Sequence, residues 1–166
     1  MSLRVLSLPD PRLRAVCAPV GQVDDEVRAL AKDMLAAMYA APGRGLAAPQ
    51  VGVMKRLFVM DTTWKEGEPS PAVFVDPVVL ARSQQLARGA EGCLSIPGFT
   101  VEVERPAAVR LGWTALDGSA AEGWFDGFAA VCVQHEVDHL DGRLCIDLLS
   151  EAERGEIEAR FAGAAA

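Results

Sequence analysis

Long apolar runs are missing from this 166-residue sequence although 51% of its residues are hydrophobic, and none approaches the ~20 residues of a bilayer-spanning helix. That pattern excludes a membrane span. The opening Met1-Ser2-Leu3-Arg4-Val5-Leu6-Ser7-Leu8-Pro9-Asp10 also lacks the architecture of a signal peptide, so the expected setting is the cytoplasm. Basic residues are in deficit, 16 against 23 acidic, giving a formal charge of -7. No basic stripe is left for a phosphate backbone, and direct nucleic-acid binding is not expected. Paired cysteine spacing is absent: Cys17, Cys93, Cys132 and Cys145 stand apart, which in a cytosolic chain favours reduced thiols over a disulfide framework and leaves a thiol available to metal. Repeats, low-complexity blocks and composition breaks are missing too, so residues 1–166 are expected to form one domain, large enough for a core and a cleft.

What is present reads as helix, strands, helix, helix. Asp24 and Asp25 precede Val27, Leu30, Ala31, Met34, Leu35 and Met38, a spacing that places one apolar face on a helix with acids at its positive end. Pro42 and Gly43 should stop that helix near Ala40. The stretch Gly43-Arg44-Gly45-Leu46-Ala47-Ala48-Pro49-Gln50 reads as a loop shaped by its backbone. β-leaning runs follow at 56–61, 72–75, 100–104, 108–116 and 121–125, with a turn at Asp117-Gly118. Asp126 can cap a second helix carrying Phe128, Val131, Cys132, His135 and His139 on one face and ending at Gly142. Ser150-Glu151-Ala152-Glu153 has the capping-box pattern of a third, short helix. The expected class is α+β, with irregular antiparallel sheets packed around the central second helix.

The sequence has only two histidines, and both stand in His135-Glu136-Val137-Asp138-His139. Positions i and i+4 of a helix are one turn apart, so both imidazoles can meet one metal ion while Glu136 reaches a water on it. The alternative is a pair of core histidines satisfied by hydrogen bonds. Two buried rings on an apolar face would each need partners, however, and a shared metal supplies them together. A hydrolytic metal needs about three protein ligands and one open position. Glu91-Gly92-Cys93-Leu94-Ser95-Ile96-Pro97-Gly98 offers Cys93 as the third. On its own, a cysteine in such a loop is more often a small buried hydrophobe than a ligand.

Three blocks, Gly43-X-Gly45-Leu46-Ala47-Ala48-Pro49-Gln50, Glu91-Gly92-Cys93-Leu94-Ser95 and Gln134-His135-Glu136-X-X-His139-Leu140, resemble the signature motifs of peptide deformylases, in the family's order and at similar separations. The likeness runs from Leu8-Pro9-Asp10-Pro11-Arg12-Leu13-Arg14 to Cys145-Ile146-Asp147-Leu148-Leu149-Ser150 and so covers nearly the whole chain. It implies a metal-dependent hydrolase that removes the formyl group from N-terminal formyl-methionine of nascent polypeptides and acts as a monomer. Cys93, His135 and His139 would hold one divalent ion, Fe(II) in the cell, with Zn(II), Ni(II) or Co(II) compatible with the same donors. Glu136 would be the general base, and Gln50 (side-chain amide) and Leu94 (backbone N–H) would steady the oxyanion. Gly43, Arg44 and Gly45 would border the substrate, and Phe128, Val131 and Cys132 would line the methionine pocket. Their alternative role is plain core packing.

The chain departs from the family pattern in three places. Arg44 stands where a β-branched aliphatic is common, and the loop after the cysteine motif carries no arginine between Ile96 and Glu104. In some bacterial members a basic C-terminal helix docks on the ribosome, whereas residues 150–166 hold four glutamates and two arginines. The resemblance allows transient ribosome association, but RNA would repel this acidic tail. Two rival readings are a zinc peptidase using H-E-x-x-H and a non-catalytic relative that keeps the metal and binds peptides. A peptidase of that kind usually takes a third ligand downstream, and no histidine follows His139.

Overall fold

The computed structural model describes residues 2–163. Its first long element is α1 (Asp25–Ala40), started by Asp24, whose side chain accepts the Val27 N–H, with Asp25 and Glu26 in the first turn. Val27, Ala31, Met34 and Met38 are its buried stripe. Five antiparallel strands form the main sheet in the order β1 (Gly45–Ala47), β2 (Leu57–Met60), β3 (Ala72–Arg82), β6 (Ala108–Thr114) and β7 (Ala120–Asp126). A separate hairpin joins β4 (Leu86–Gly92) to β5 (Thr100–Pro106).

Strand β2 explains the layering. All four of its residues are buried, because alternate side chains face opposite sides of a sheet and here both sides are covered. Leu57 and Val59 join Leu46 and Val75, with Val27, Met34 and Met38 of α1, in one core. Phe58 and Met60 join Phe74, Val109 and Leu111 in another, against Cys132, Val133, Val137 and Leu140 of α2 (Gly127–Leu140). On the far side of α2 the hairpin contributes Val101 and Val103 to a third core with Leu8, Leu13, Leu144, Cys145 and Ile146.

Helix α2 is therefore central, and residues 132 to 137 are buried without a break. That stretch has no solvent face, so its polar residues must find partners inside. Its last turn is closed by the Cys17 N–H and the Arg56 guanidinium, which both donate to the Leu140 carbonyl at 2.9 and 3.0 Å. Gly142 then turns the chain at φ 72. Helix α3 (Glu151–Phe161) starts at the Ser150 N-cap, whose Oγ accepts from the Glu153 N–H; the Glu153 carboxylate accepts in return from the Ser150 hydroxyl and not, as in a capping box, from its backbone N–H. Among the described residues no helix is long and apolar enough to cross a membrane.

Four local expectations are corrected. The run at 72–75 extends to Arg82, since Asp76 (φ 47) and Pro77 sit in a bulge where the register with β6 shifts, one of the few places a strand admits proline. Strand β4 was not expected at all. Its Leu-Ala-Arg-Gly-Ala-Glu-Gly composition is poor in β-formers, and it is a strand because residue-for-residue pairing with β5 makes it one. The loop at 43–50 contains β1 and a 3-10 turn at Ala48–Val51. Asp126 occupies the α2 cap position without a side-chain cap bond, the chain entering the helix through Gly127 at φ 55.

Candidate active site

Helix α2 presents His135 and His139 one turn apart, with their Nε2 atoms 3.2 Å from each other. The loop that leaves β4 brings Cys93 Sγ to 3.4 Å from His139 Nε2. One donor atom from each of the three residues lies within 4.8 Å of the others. Three groups whose lone pairs converge can form at most weak mutual hydrogen bonds, whereas one cation would satisfy them together. The donor set, one thiol and two imidazoles, fits a borderline divalent metal.

Behind the histidines lies a buried ionic relay. Glu91 Oε1 stands 3.0 Å from His135 Nδ1, and Arg105 grips the same carboxylate with Nε at 2.6 Å and a second nitrogen at 3.0 Å. Arg105 also donates to Asp138 at 2.9 Å. Burial pushes the Glu91 carboxyl up, but the hydrogen bonds from His135 and Arg105 and the guanidinium charge outweigh it and hold the group at about 2. The hairpin is thereby pinned to α2 beside the donor atoms.

Glu136, next to His135 on α2, lines a cavity of about 420 Å³. Its Oε1 is buried with no hydrogen-bond partner. Burial, with repulsion from Glu91 and Asp138, raises its carboxyl to about 7 against the pull of His135 and Arg105. Gly45 makes room for it: a Cβ there would run into Glu136 Oε2 and come within 3.0 Å of Cys132 Sγ. Gln50 is oriented without ambiguity, because its Oε1 accepts the Ala47 N–H at 2.9 Å. Its Nε2 must then face the site, donating to Ser95 Oγ at 3.0 Å and lying 3.8 Å from Cys93 Sγ. Gly43, Arg44, Leu94, Phe128, Val131, Cys132 and His135 line the same cavity, while His139 is almost fully buried beneath it.

The family model described as polypeptide deformylase matches residues 2–155. The chain belongs to that family. A curated peptide deformylase of Afipia carboxidovorans is 50% identical over 166 residues, covering 99% of this chain and 97% of the relative. One from Alkalilimnicola ehrlichii is 52% identical, covering 96% and 88%. The solved peptide deformylase of Ehrlichia chaffeensis in complex with actinonin superposes with a TM-score of 0.92 at 34% identity, over 99% of this chain and 98% of that one. Against this deformylase fold, the α+β class with a central helix holds as expected from sequence.

Every site residue expected from the three motifs borders the cavity or the donor cluster, but two stand differently from a simple pocket wall. Phe128 is half exposed and forms a rim. Arg44 lies over its ring at 5.1 Å and pairs with Glu66, so its charge is engaged within the protein. Arg105, Asp138 and Ser95 have no role legible in the motifs, and Glu91 stands there only as the residue that opens the cysteine block. A signal for Arg105 was available: it continues the inward alternation of Val101 and Val103, and a buried arginine requires a carboxylate.

Proposed function

We propose that this cavity hydrolyses the formamide bond of N-terminal formyl-methionine, releasing formate and a free amino terminus. The observation that carries the reading is the convergence of Cys93, His135 and His139 beside an unpartnered, buried carboxylate oxygen of Glu136. Cys93 Sγ and the two Nε2 atoms would hold one divalent metal, Fe(II) in the cell, and such an ion when bound acidifies water and polarises a carbonyl. Glu136 accepts the proton of the attacking water at Oε1 and delivers it to the departing nitrogen. Gln50 Nε2 and the Leu94 N–H donate to the formyl oxygen as it gains charge, a contribution worth ~10²–10³ in rate per donor. Val131 and Cys132 receive the methionine side chain, and Gly43 and Gly45 let the substrate backbone approach. In this reading residues 1–166 are one catalytic domain, a cytoplasmic monomer that meets nascent chains transiently at the ribosome without using its acidic tail.

A metallopeptidase reading takes its third ligand downstream of the helix, whereas the third donor here is the Cys93 thiol upstream. The test is to load the protein with Fe(II) or Ni(II) and supply formyl-Met-Ala-Ser. Formate release with an intact peptide supports deformylation. Peptide-bond cleavage would establish a peptidase instead, and binding without formate a non-catalytic relative.

A further inference from the structure

Two cationic side chains, Arg44 and Lys65, border the cavity. The buried end is formed by Gln50, His135 and Glu136, each less than 10% exposed. Formyl chemistry belongs there, so a peptide continuing beyond methionine must leave through the open end. That end is bordered by Arg44, Lys65 and Phe128. Glu66 neutralises Arg44, whereas Lys65 forms no ion pair among the described residues; its Nζ lies 5.6 Å from the Trp64 ring centroid.

Lys65 is held at this position by a built loop. Asp61, fully buried, accepts the N–H groups of Thr63, Trp64 and Ser70 and the Tyr39 hydroxyl. Trp64 packs edge-on against Tyr39 and donates its indole N–H to the Gly43 carbonyl at 3.0 Å. The loop is thus docked on the first glycine of the motif that borders the substrate, and Lys65 follows Trp64 directly.

Building on the deformylase reading, we propose that Lys65 is a specificity residue favouring formyl-methionyl peptides with an acidic side chain just after methionine, and that Glu66 limits this preference by holding Arg44. The charge sits in solvent at the rim, so the effect is the few-fold one of an exposed pair, screened by salt. The test compares kcat/KM for formyl-Met-Asp-Ala and formyl-Met-Lys-Ala amides at low and high salt. We expect the wild-type ratio to favour aspartate by about two- to five-fold at low salt. Lys65→Met should bring it towards one, Lys65→Glu should invert it, and Glu66→Gln should raise it by freeing Arg44. Lys32→Met, on the exposed side of α1, is the control for net charge. If formate is released but the ratio is the same in wild type, Lys65→Met and Lys65→Glu, the assignment of Lys65 is overturned while the deformylase reading stands. If no formyl-Met peptide yields formate, the deformylase reading itself fails.

Discussion

Glu91 shares one carboxylate oxygen between His135 Nδ1 at 3.0 Å and the Arg105 guanidinium at 3.0 Å. A carboxylate can only accept, so His135 carries a proton on Nδ1, and the neutral Nδ1–H tautomer is the one whose Nε2 could bind a metal beside His139 and Cys93. Replacing Glu91 with glutamine removes the charge that fixes this tautomer and leaves Arg105 with Asp138 alone. Metal affinity should fall ~10–100-fold, with a loss of stability on the order of 3 kcal/mol from the broken buried pair. Chelator competition checks the first effect and urea unfolding the second. Wild-type metal retention would show that Glu91 does not orient the donor.

Cys93→Ala removes the only sulfur among the three converging donors. Two imidazoles hold a divalent ion poorly compared with two imidazoles and a thiolate. Elemental analysis of the purified variant should find little metal, while the fold persists because Cys93 lies at the edge of its core rather than within it. Full occupancy would remove Cys93 from the ligand set.

Much of this arrangement is legible in the amino-acid order, and the illegible part has a consistent cause. Helices α1 and α3 announce themselves through local signals, the Asp24 and Ser150 caps and the alternating four- and three-residue spacing of Val27, Ala31, Met34 and Met38. The spacing of His135 and His139 is likewise local. Strand β4 depends on β5, fourteen residues away across the Glu91–Arg105 pair, so nothing in Leu86–Gly92 alone reveals it. Arg44 illustrates the same limit. Its guanidinium must reach a partner or solvent, but that the partner is Glu66 depends on the docking of Trp64 against Gly43.

Glu136→Gln keeps the size and hydrogen bonding of the side chain but cannot accept a proton. Turnover of formyl-Met peptides should fall by at least ~10²–10⁴ with metal content and thermal unfolding little changed. Substantial activity in a fully metal-loaded variant would assign the base elsewhere.

Gly45→Ala tests the close approach between β1 and α2. The added methyl meets Glu136 Oε2 and lies 3.0 Å from Cys132 Sγ, both on the continuously buried stretch of α2, so relief must come from moving the carboxylate. Cost should therefore appear in kcat first, since a misplacement of ~1 Å can cost about 10²-fold. If kcat were retained and only the melting temperature fell, the glycine would serve packing and not the placement of Glu136.

Asp61 links the acid stability of the protein to the loop that carries Lys65. Burial raises the carboxyl, but the Tyr39 hydroxyl and the N–H groups of Thr63, Ser70 and Trp64 hold it below its ordinary value of 3.8. A group whose folded value is depressed stabilises the fold at pH above its unfolded value, and that contribution is lost as pH falls through the folded one. The wild type should therefore lose stability from this source below about pH 4. Asp61→Asn keeps one acceptor oxygen but offers no charge, so it should be less stable at neutral pH and show a shallower decline in urea midpoint from about pH 6 to about pH 3. Because the same carboxylate fixes Thr63, Trp64 and Ser70, the variant should also lose part of the preference for formyl-Met-Asp over formyl-Met-Lys peptides. An unchanged acid limb would mean that the four donors are satisfied as well by a neutral oxygen, and that the charge of Asp61 contributes nothing to holding the loop.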